Sequence, residues 1–356
     1  MKKVLIIDDS ALMRRVLSDI INADENLRVE ATANHGLEAM ELLHAGRKFD
    51  IILVDINMPR MDGVSFLKEL NRNHIKIPVL VVSSIASQSA NETIEALELG
   101  AFDFVKKPKG SIGQGYRTFQ KNVLLRIYMA CKLSMPAFAQ EAEYDRPEGK
   151  TVVSQRGGRH SLSVMKRLFV IASSTGGPRA LQTVIPCFPA DFPYPIVVIQ
   201  HMPAGFTQSL AGRLNEMSPL TVKEAEDGDV LQKGVVYIAK GGKQCELVEQ
   251  PAGTFILSEN DKPARGGLRP CADIFLESLS HTSLDHFVCG VLTGMGSDGC
   301  KGIQFVKKYK DMKVVAQNEE TCVVYGMPRA VAQAGIVNEV VPLQNVADAM
   351  IKQIGV

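Results

Sequence analysis

Short apolar runs alternate with amphipathic helical repeats along the first 110 residues of the chain. The runs are mostly continuous and too short for a helix, which is typical of strands buried on both faces of a parallel sheet. The runs are Lys3–Ile7, Val29–Ala33, Ile51–Val54, Pro78–Val82 and Asp103–Val105. Because helical repeats separate them, the pattern predicts a five-stranded parallel sheet covered by helices.

The same alternation resumes after residue 167. Four further apolar runs are predicted as strands: Leu168–Ala172, Pro195–Gln200, Phe287–Leu292 and Lys313–Ala316. Two shorter runs beside glycines, Gly234–Ala239 and Gly253–Leu257, predict an antiparallel excursion. The second half is therefore predicted to be a doubly wound, mostly parallel α/β domain that carries this excursion.

A segment without hydrophobic periodicity separates the two halves. Residues 134–166 contain Pro136, Pro147 and several glycines, and residues 111–166 carry nine Lys/Arg against four Asp/Glu. Tyr116–Lys132, just before it, still has helical spacing. We therefore predict domains at 1–133 and 167–356, joined by an interdomain linker at 134–166.

Composition excludes several classes of protein. The chain has 40 basic and 39 acidic residues, a formal charge of +1, so nothing indicates a nucleic-acid binder. No apolar stretch reaches the ~18 residues of a membrane span, so no membrane insertion is predicted. The seven cysteines show no paired C-x-x-C spacing, which is typical of reduced thiols and predicts a cytoplasmic protein.

Polar residues follow the strands of the first domain where each strand ends. They are Asp8 and Asp9, Asp55, Ser83 and Lys107. The carboxyl ends of parallel strands meet in one crevice, so these side chains should converge. Three carboxylates would repel one another without a cation, and oxygen ligands favour Mg²⁺. The hydroxyl and the ammonium beside them complete a phosphoryl-binding set, with Asp55 as the nucleophile.

This constellation resembles the receiver domain of two-component response regulators over about residues 1–130. The motifs that carry the resemblance are Asp8-Asp9, Asp55, Met58-Pro59, Asp62-Gly63, Ser83 and Lys107-Pro108. The resemblance implies a flavodoxin-like fold, and Phe104 stands where the family has its switch aromatic.

The same resemblance implies roles for the strand-end residues. Asp55 would accept a phosphoryl group from a histidine kinase, and Asp8, Asp9 and Asp55 would bind Mg²⁺. Ser83 would bond a phosphoryl oxygen and Lys107 would pair with it.

A strand, a tight turn and a helix follow one another over residues 168–185. The turn reads Ser173-Ser174-Thr175-Gly176-Gly177-Pro178. A serine here lies at the carboxyl end of a strand and the N-terminus of a helix, where free N–H groups stabilise a developing oxyanion. Ser174 is the preferred nucleophile because it lies closer to the glycines and the helix, and Ser173 remains the competitor.

A serine nucleophile needs a base and the base needs a carboxylate, and both residue types occur at other strand ends. His201 closes the apolar run 196–200, and Asp298 is the only acid in the glycine-rich loop after Phe287–Leu292. Backbone N–H groups in that loop, foremost that of Met295, are candidates for the oxyanion donor. The sequence thus predicts a Ser-His-Asp triad in this chain order.

The order and the three motifs resemble the catalytic domain of the CheB family, the chemotaxis protein-glutamate methylesterases. The resemblance covers about 168–356 and includes Arg269-Pro270 and the run 320–329. Where that family usually reads Gly-Ala before the nucleophile, this chain has Ala172-Ser173.

The resemblance implies hydrolysis of glutamate γ-methyl esters on chemoreceptors through a serine acyl-enzyme, with release of methanol and deamidation of receptor glutamines by the same chemistry. It implies Mg²⁺ in the receiver domain and no cofactor in the catalytic domain. The implied partners are a chemotaxis histidine kinase as phosphodonor and methyl-accepting chemotaxis receptors as substrate, and we expect a monomer.

A receiver fused to a hydrolase suggests control by occlusion, in which phosphorylation of Asp55 exposes the Ser174 crevice. Two other hypotheses remain open from sequence. One is a module that binds receptors without turnover, and the other is a receiver-regulated hydrolase that acts in a pathway other than chemotaxis.

Overall fold

The chain falls into two compact units, Met1–Gln140 and Glu141–Val356. The computed structural model describes residues 1–84, 87–108, 114–134, 165, 167–251 and 253–354. Apart from residues 134 and 165, the predicted linker at 134–166 lies outside the described residues. No helix in the described ranges is long and apolar enough to cross a membrane.

The first unit is a parallel sheet covered by helices. Its strands are β1 (Lys2–Ile7), β2 (Leu27–Ala33), β3 (Ile51–Asp55), β4 (Val79–Ser83) and β5 (Asp103–Lys106). Its helices are α1 (Ala11–Asn22), α2 (Gly36–His44), α3 (Gly63–Arg72), α4 (Ser87–Glu98) and α5 (Gln114–Ala130). The strand order β2-β1-β3-β4-β5 confirms the predicted five-stranded fold.

Local sequence explains where helices of this unit begin. Ser10 caps α1 by accepting the Met13 N–H at 3.3 Å, and Asp62 caps α3 by accepting the Ser65 N–H at 2.7 Å. Ser10 lies three residues after the end of β1, and Asp62 lies seven residues after the end of β3, so both helices begin shortly after a strand of the sheet. β3 and β4 are buried along their whole length and β1 and β5 along most of it, as their composition predicted, whereas the edge strand β2 is buried only at its two ends.

The second unit contains a larger parallel sheet. Its strands are β6 (Leu168–Ser173), β7 (Ile196–Gln200), β8 (Thr221–Glu224), β9 (Val235–Ile238), β12 (His286–Val291), β13 (Asp311–Gln317) and β14 (Glu339–Val341), and β10 (Gln244–Glu249) and β11 (Phe255–Asn260) form a separate hairpin. Its helices are α6 (Gly177–Val184), α7 (Thr207–Met217), α8 (Ala272–Leu279), α9 (Cys300–Val306), α10 (Met327–Gln333) and α11 (Val346–Lys352).

In the described residues the large sheet has seven strands in the order β14-β13-β12-β6-β7-β9-β8. The strands of this sheet pair in parallel, whereas β10 and β11 pair antiparallel with each other. The predicted antiparallel excursion is therefore this hairpin. The run 234–239, which we expected to belong to it, instead forms β9 and pairs parallel with β7 and β8.

Three neighbouring strands, β12, β6 and β7, lie at the centre of this sheet. Their apolar side chains join those of α8, α9 and the hairpin in one buried cluster. Because neighbouring parallel strands end at one edge, the loops after β6, β7 and β12 come together at the carboxyl edge of the sheet.

Candidate functional site

An acidic cluster lies at the carboxyl edge of the first unit's sheet. Asp8 and Asp9 follow β1, and Asp55 ends β3. Carboxylate oxygens of the three residues all lie within 4.8 Å of one another. Asp8 and Asp55 are buried whereas Asp9 is exposed, so the cluster opens to solvent on one side. This set of oxygen donors suits a hard divalent cation.

Lys107 connects the two buried carboxylates of this cluster. Its Nζ lies 2.8 Å from Asp8 Oδ2 and 2.7 Å from Asp55 Oδ2. Burial raises the pKa of Asp55 and the neighbouring Asp8 charge adds to this, while Lys107 opposes both. Burial lowers the pKa of Lys107, but Asp55 and Asp8 outweigh it and raise that pKa above its ordinary value. The ammonium therefore stays charged beside Asp55.

The two other predicted receiver residues lie on adjacent strands. Ser83 ends β4 and is fully buried, and its hydroxyl accepts from Thr93 Oγ1 of α4 at 2.9 Å and donates to the Ser84 carbonyl at 3.2 Å. Its hydrogen bonds therefore join it to α4 and to the backbone of the next residue. Phe104 lies within β5 and is buried with 4% exposure.

In the second unit, the chain turns sharply between β6 and α6. Gly176 has φ +78°, which a residue with a side chain adopts only at a cost, and Pro178 lies in the first turn of the helix. Ser174 lies in the turn and is half-buried, whereas Ser173 ends the strand with no exposure. The Ser173 hydroxyl donates to Gln200 Oε1 at 2.6 Å. The accessible hydroxyl is thus that of Ser174, which favours it over its competitor.

His201 and Asp298 form a buried pair beside this turn. The His201 Nε2 donates to Asp298 Oδ2 at 2.7 Å, and the two side chains are 7% and 3% exposed. This leaves Nδ1 as the imidazole nitrogen available to a serine. Among the described residues the Ser174 hydroxyl makes no hydrogen bond to His201, and such bonds often tighten only when substrate binds.

Asp298 is also held by the N-terminus of α8, which sequence reasoning missed. It accepts the backbone N–H groups of Ala272 at 2.7 Å and Asp273 at 2.9 Å, and the Cys271 thiol at 3.1 Å. Burial raises the pKa of Asp298, but the His201 hydrogen bond, its charge and these backbone donors lower it to about 2. Asp298 is therefore ionised at neutral pH. The Arg269-Pro270 motif directly before Cys271 was the available sequence signal.

The glycine-rich loop after β12 packs directly against the serine turn. A Cβ added to Gly294 would lie 2.8 Å from Ser174 Cβ, so only glycine fits there. The Ser174 N–H donates to the Thr293 carbonyl at 3.0 Å, which joins the two loops. Met295 follows in the same loop, and within the described residues its N–H donates no hydrogen bond. The structure therefore brings the predicted donor loop to the predicted nucleophile.

Family models match both units of the chain. The model described as "CheB methylesterase" matches residues 169–350, and "Response regulator receiver domain" matches residues 4–112. The first match includes Ser174, His201 and Asp298, and the second includes the acidic cluster with Lys107.

Relatives of similar length match along the whole chain. A "Protein-glutamate methylesterase/protein-glutamine glutaminase 1" of Syntrophomonas wolfei is 38% identical, covering 99% of this chain and 99% of its own. A protein of Bacillus subtilis with the same description but no number is 38% identical, covering 98% of this chain and 97% of its own.

Among solved structures, the Thermotoga maritima CheB methylesterase catalytic domain is 43% identical, with a TM-score of 0.51, and covers 54% of this chain and 100% of its own. The chain therefore belongs to the CheB methylesterase family, with a receiver domain in front of the catalytic domain.

Proposed function

We propose that this protein hydrolyses glutamate γ-methyl esters on methyl-accepting chemotaxis receptors and releases methanol. The observation that carries the proposal is the buried 2.7 Å pair of His201 and Asp298 beside the accessible Ser174, in a chain of this family. A serine, a base and an ionised carboxylate are the groups that ester hydrolysis through an acyl-enzyme needs. This complete set argues against a module that only binds receptors.

The first half of the proposed reaction forms the acyl-enzyme. Ser174 Oγ attacks the ester carbonyl carbon while its proton passes to His201, and the Met295 N–H donates to the oxyanion that develops. His201 then gives this proton to the departing methoxide, so methanol leaves as the C–O bond breaks. Asp298 fixes the imidazole by accepting from Nε2 and stabilises its positive charge.

The second half frees the glutamate. Water gives a proton to His201 and attacks the acyl carbon, and His201 returns the proton to Ser174 Oγ as that bond breaks. A glutamine side chain would follow the same route with ammonia as the leaving group, which extends the proposal to deamidation. The chain supplies base, orienting carboxylate and oxyanion donor, so we propose that this step needs no cofactor.

For the receiver domain we propose phosphorylation on Asp55 by a chemotaxis histidine kinase, which raises the hydrolytic rate. Asp8, Asp9 and Asp55 would hold Mg²⁺, whose charge offsets that of the incoming phosphoryl group. Lys107 would pair with a phosphoryl oxygen, and the 2.7 Å contact with Asp55 supports this role. Ser83 would turn from α4 to a second oxygen.

We also propose a switch residue, domain boundaries, an oligomeric state and a cellular compartment for this protein. Phe104 would serve as the switch aromatic. We place the domains at 1–133 and 167–356 with a linker at 134–166. We further propose a monomer that acts in the cytoplasm, where its kinase and the signalling helices of its receptors are accessible. The free thiols of all seven cysteines support a reducing compartment.

The test is methanol release from membranes that carry methylated receptors, with and without acetyl phosphate. Ser174→Ala should lower the rate at least ~10³-fold, because it removes the hydroxyl that would carry the acyl intermediate. Ser173→Ala is the matched control and should retain activity within about tenfold. If Ser173→Ala proved as damaging as Ser174→Ala, the assignment of the nucleophile would be wrong.

A further inference from the structure

Two buried polar side chains lie beneath the site and take no part in the reaction just described. Ser173 ends β6 and Gln200 ends β7, and the two residues are direct partners in the register of these strands. Ser173 is 0% and Gln200 1% exposed, so neither side chain reaches substrate or solvent. Their chain neighbours are Ser174 and His201, the proposed nucleophile and base.

The Gln200 amide bonds to the backbone of both of those residues. Its Nε2 donates to the Ser174 carbonyl at 3.0 Å and to the His201 carbonyl at 3.1 Å. Its Oε1 accepts the Ser173 hydroxyl at 2.6 Å. One rigid planar group therefore connects the backbone of the nucleophile to that of the base.

The orientation of this amide has only one solution. Carbonyl oxygens can only accept, so the NH₂ group must face Ser174 and His201. The amide oxygen is then left facing Ser173, whose hydroxyl must be the donor. A buried amide turned the other way would place its oxygen against the two carbonyls and lose both of those hydrogen bonds, which is costly away from water.

The surroundings leave the amide no room to move. A Cβ added to Gly177 would collide with Gln200 Oε1 and would lie 3.0 Å from Ser173 Cβ. The backbone on either side is also fixed, because the His201 N–H donates to the Ser173 carbonyl and the Gly177 N–H to the Ser174 carbonyl, at 3.0 and 2.7 Å. The amide therefore acts together with these backbone hydrogen bonds to set the spacing of nucleophile and base.

We propose that Gln200 is a positioning residue that fixes Ser174 relative to His201, and that Ser173 supports it by donating its hydroxyl to the amide oxygen. The inference rests on the proposed function and adds to it two residues that touch no reacting atom. Misplacement of a reacting group by about 1 Å can cost ~10²-fold in rate. Loss of the hydrogen bonds of the Gln200 amide should therefore lower kcat.

The experiment uses the full chain, treated with acetyl phosphate, on two substrates. One is a methylated receptor fragment, assayed for methanol, and the other is p-nitrophenyl acetate, whose Ser174-dependent hydrolysis requires no receptor. Gln200→Met keeps the length of the side chain without hydrogen bonds, and Gln200→Glu puts an acceptor against the two carbonyls. Both should lower kcat by ~10²-fold on both substrates and leave KM within about threefold.

Ser173→Ala is the milder variant in case the Gln200 variants fail to fold. It should lower kcat about three- to tenfold with KM unchanged, and it should have no further effect in a Gln200→Met background, because Ser173 acts only through the amide. The matched control is Ser278→Ala. Ser278 is a buried serine at the far end of α8 that donates to the Phe275 carbonyl at 2.6 Å, and its loss should lower Tm without changing kcat.

The outcomes separate the two proposals. A Gln200→Met enzyme with wild-type kcat, a change in KM alone, or a Ser173→Ala effect that Ser278→Ala reproduces would overturn the positioning role. If the wild type cleaves p-nitrophenyl acetate through Ser174 but releases no methanol from receptor, the proposed substrate is wrong. The positioning role of Gln200 is then tested by the kcat values on p-nitrophenyl acetate.

Discussion

Asp298 and Asp273 are two buried carboxyl groups at the N-termini of different helices, and their environments shift their pKa values in opposite directions. Asp298 accepts from the N-terminus of α8, and Asp273 accepts from the N-terminus of α9. Asp298 accepts from an imidazole and from backbone donors, which hold its pKa at about 2 despite burial. Burial and the nearby Asp298 charge raise the pKa of Asp273 to about 7, although it accepts the N–H groups of Gly299 and Gly302. Only the first is firmly ionised at neutral pH, as the orienting group of a triad must be.

This difference predicts a pH-dependent stability. An unfolded aspartate has a pKa of ~3.9, so between pH 5 and 7 unfolding releases the proton that folded Asp273 retains. The contribution of Asp273 is fully present below the unfolded pKa and is lost as pH rises through about 7. The free energy of unfolding should therefore fall with rising pH by at most ~1.4 kcal/mol per pH unit.

Asp273→Asn tests this because the amide oxygen can still accept from Gly299 and Gly302 but does not titrate. Urea unfolding of both proteins at pH 5, 6 and 7 should show a shallower pH slope for the variant. The contribution of Asp298 is nearly constant over this range, since its folded and unfolded pKa values both lie below it. Parallel slopes for the two proteins would contradict the assigned environment of Asp273.

At the residue scale, the sequence singled out the proposed reacting groups but not the residues that hold them. Ser174 and His201 could be found because they follow apolar strands, and strand ends meet in a parallel sheet. The choice between Ser173 and Ser174 stayed open, since it depends on which hydroxyl is buried. Gln200 had a signal, an amide at the end of an apolar run, but its bonds to both backbones depend on the register of β6 and β7.

At the scale of elements, glycine positions were the main source of both success and error. The glycines at 176 and 177 correctly predicted a sharp turn between strand and helix. The glycine beside the run 234–239 suggested a hairpin, but Gly234 has φ +72° in the turn that leads into β9, which then pairs parallel. A glycine turn shows that the chain bends and does not show which strand it meets next.

The loop after β12 gives a prediction for one such glycine. Gly294→Ala would place a methyl group 2.8 Å from Ser174 Cβ and against Met327 Sδ, so one of the two loops must move. We expect kcat for methanol release to fall ~10²-fold and Tm to fall as well.

Gly212→Ala is the matched control for this substitution. Gly212 lies on an exposed face of α7 and an added Cβ meets nothing within 4 Å. Alanine is the better helix former, so this variant should gain about 0.5–1 kcal/mol of stability with unchanged kcat. Full activity of Gly294→Ala would show that the loop does not constrain the nucleophile.

At the scale of the whole molecule, the candidate sites of the two units lie at equivalent places in their sheets but contain residues suited to different chemistry. Each site lies at the carboxyl ends of central parallel strands. The first collects three carboxylates and a lysine, and the second a serine, a histidine and one carboxylate. The near-neutral total of +1 conceals this contrast, because charge is concentrated in one site and scarce in the other.

That contrast predicts separable responses to metal removal. Asp8, Asp9 and Asp55 are the one acidic cluster of metal-binding geometry among the described residues, and it belongs to the receiver. Lys107 is the cation paired with its two buried carboxylates. Without a divalent cation, one positive charge would have to balance two negative carboxylates and the negative charge of an incoming phosphoryl group. We therefore expect EDTA to abolish the rise in methanol release that acetyl phosphate causes and to leave the basal rate within about twofold.

Asp55→Asn should give the same basal rate and no rise, with or without EDTA, because it removes the phosphoacceptor while Lys107 and Asp8 remain. Added Mg²⁺ should restore the rise in the wild type alone. A basal rate that collapses with EDTA would contradict metal-independent catalysis in the second unit, and a rise that survives EDTA would remove the metal from the acid pocket.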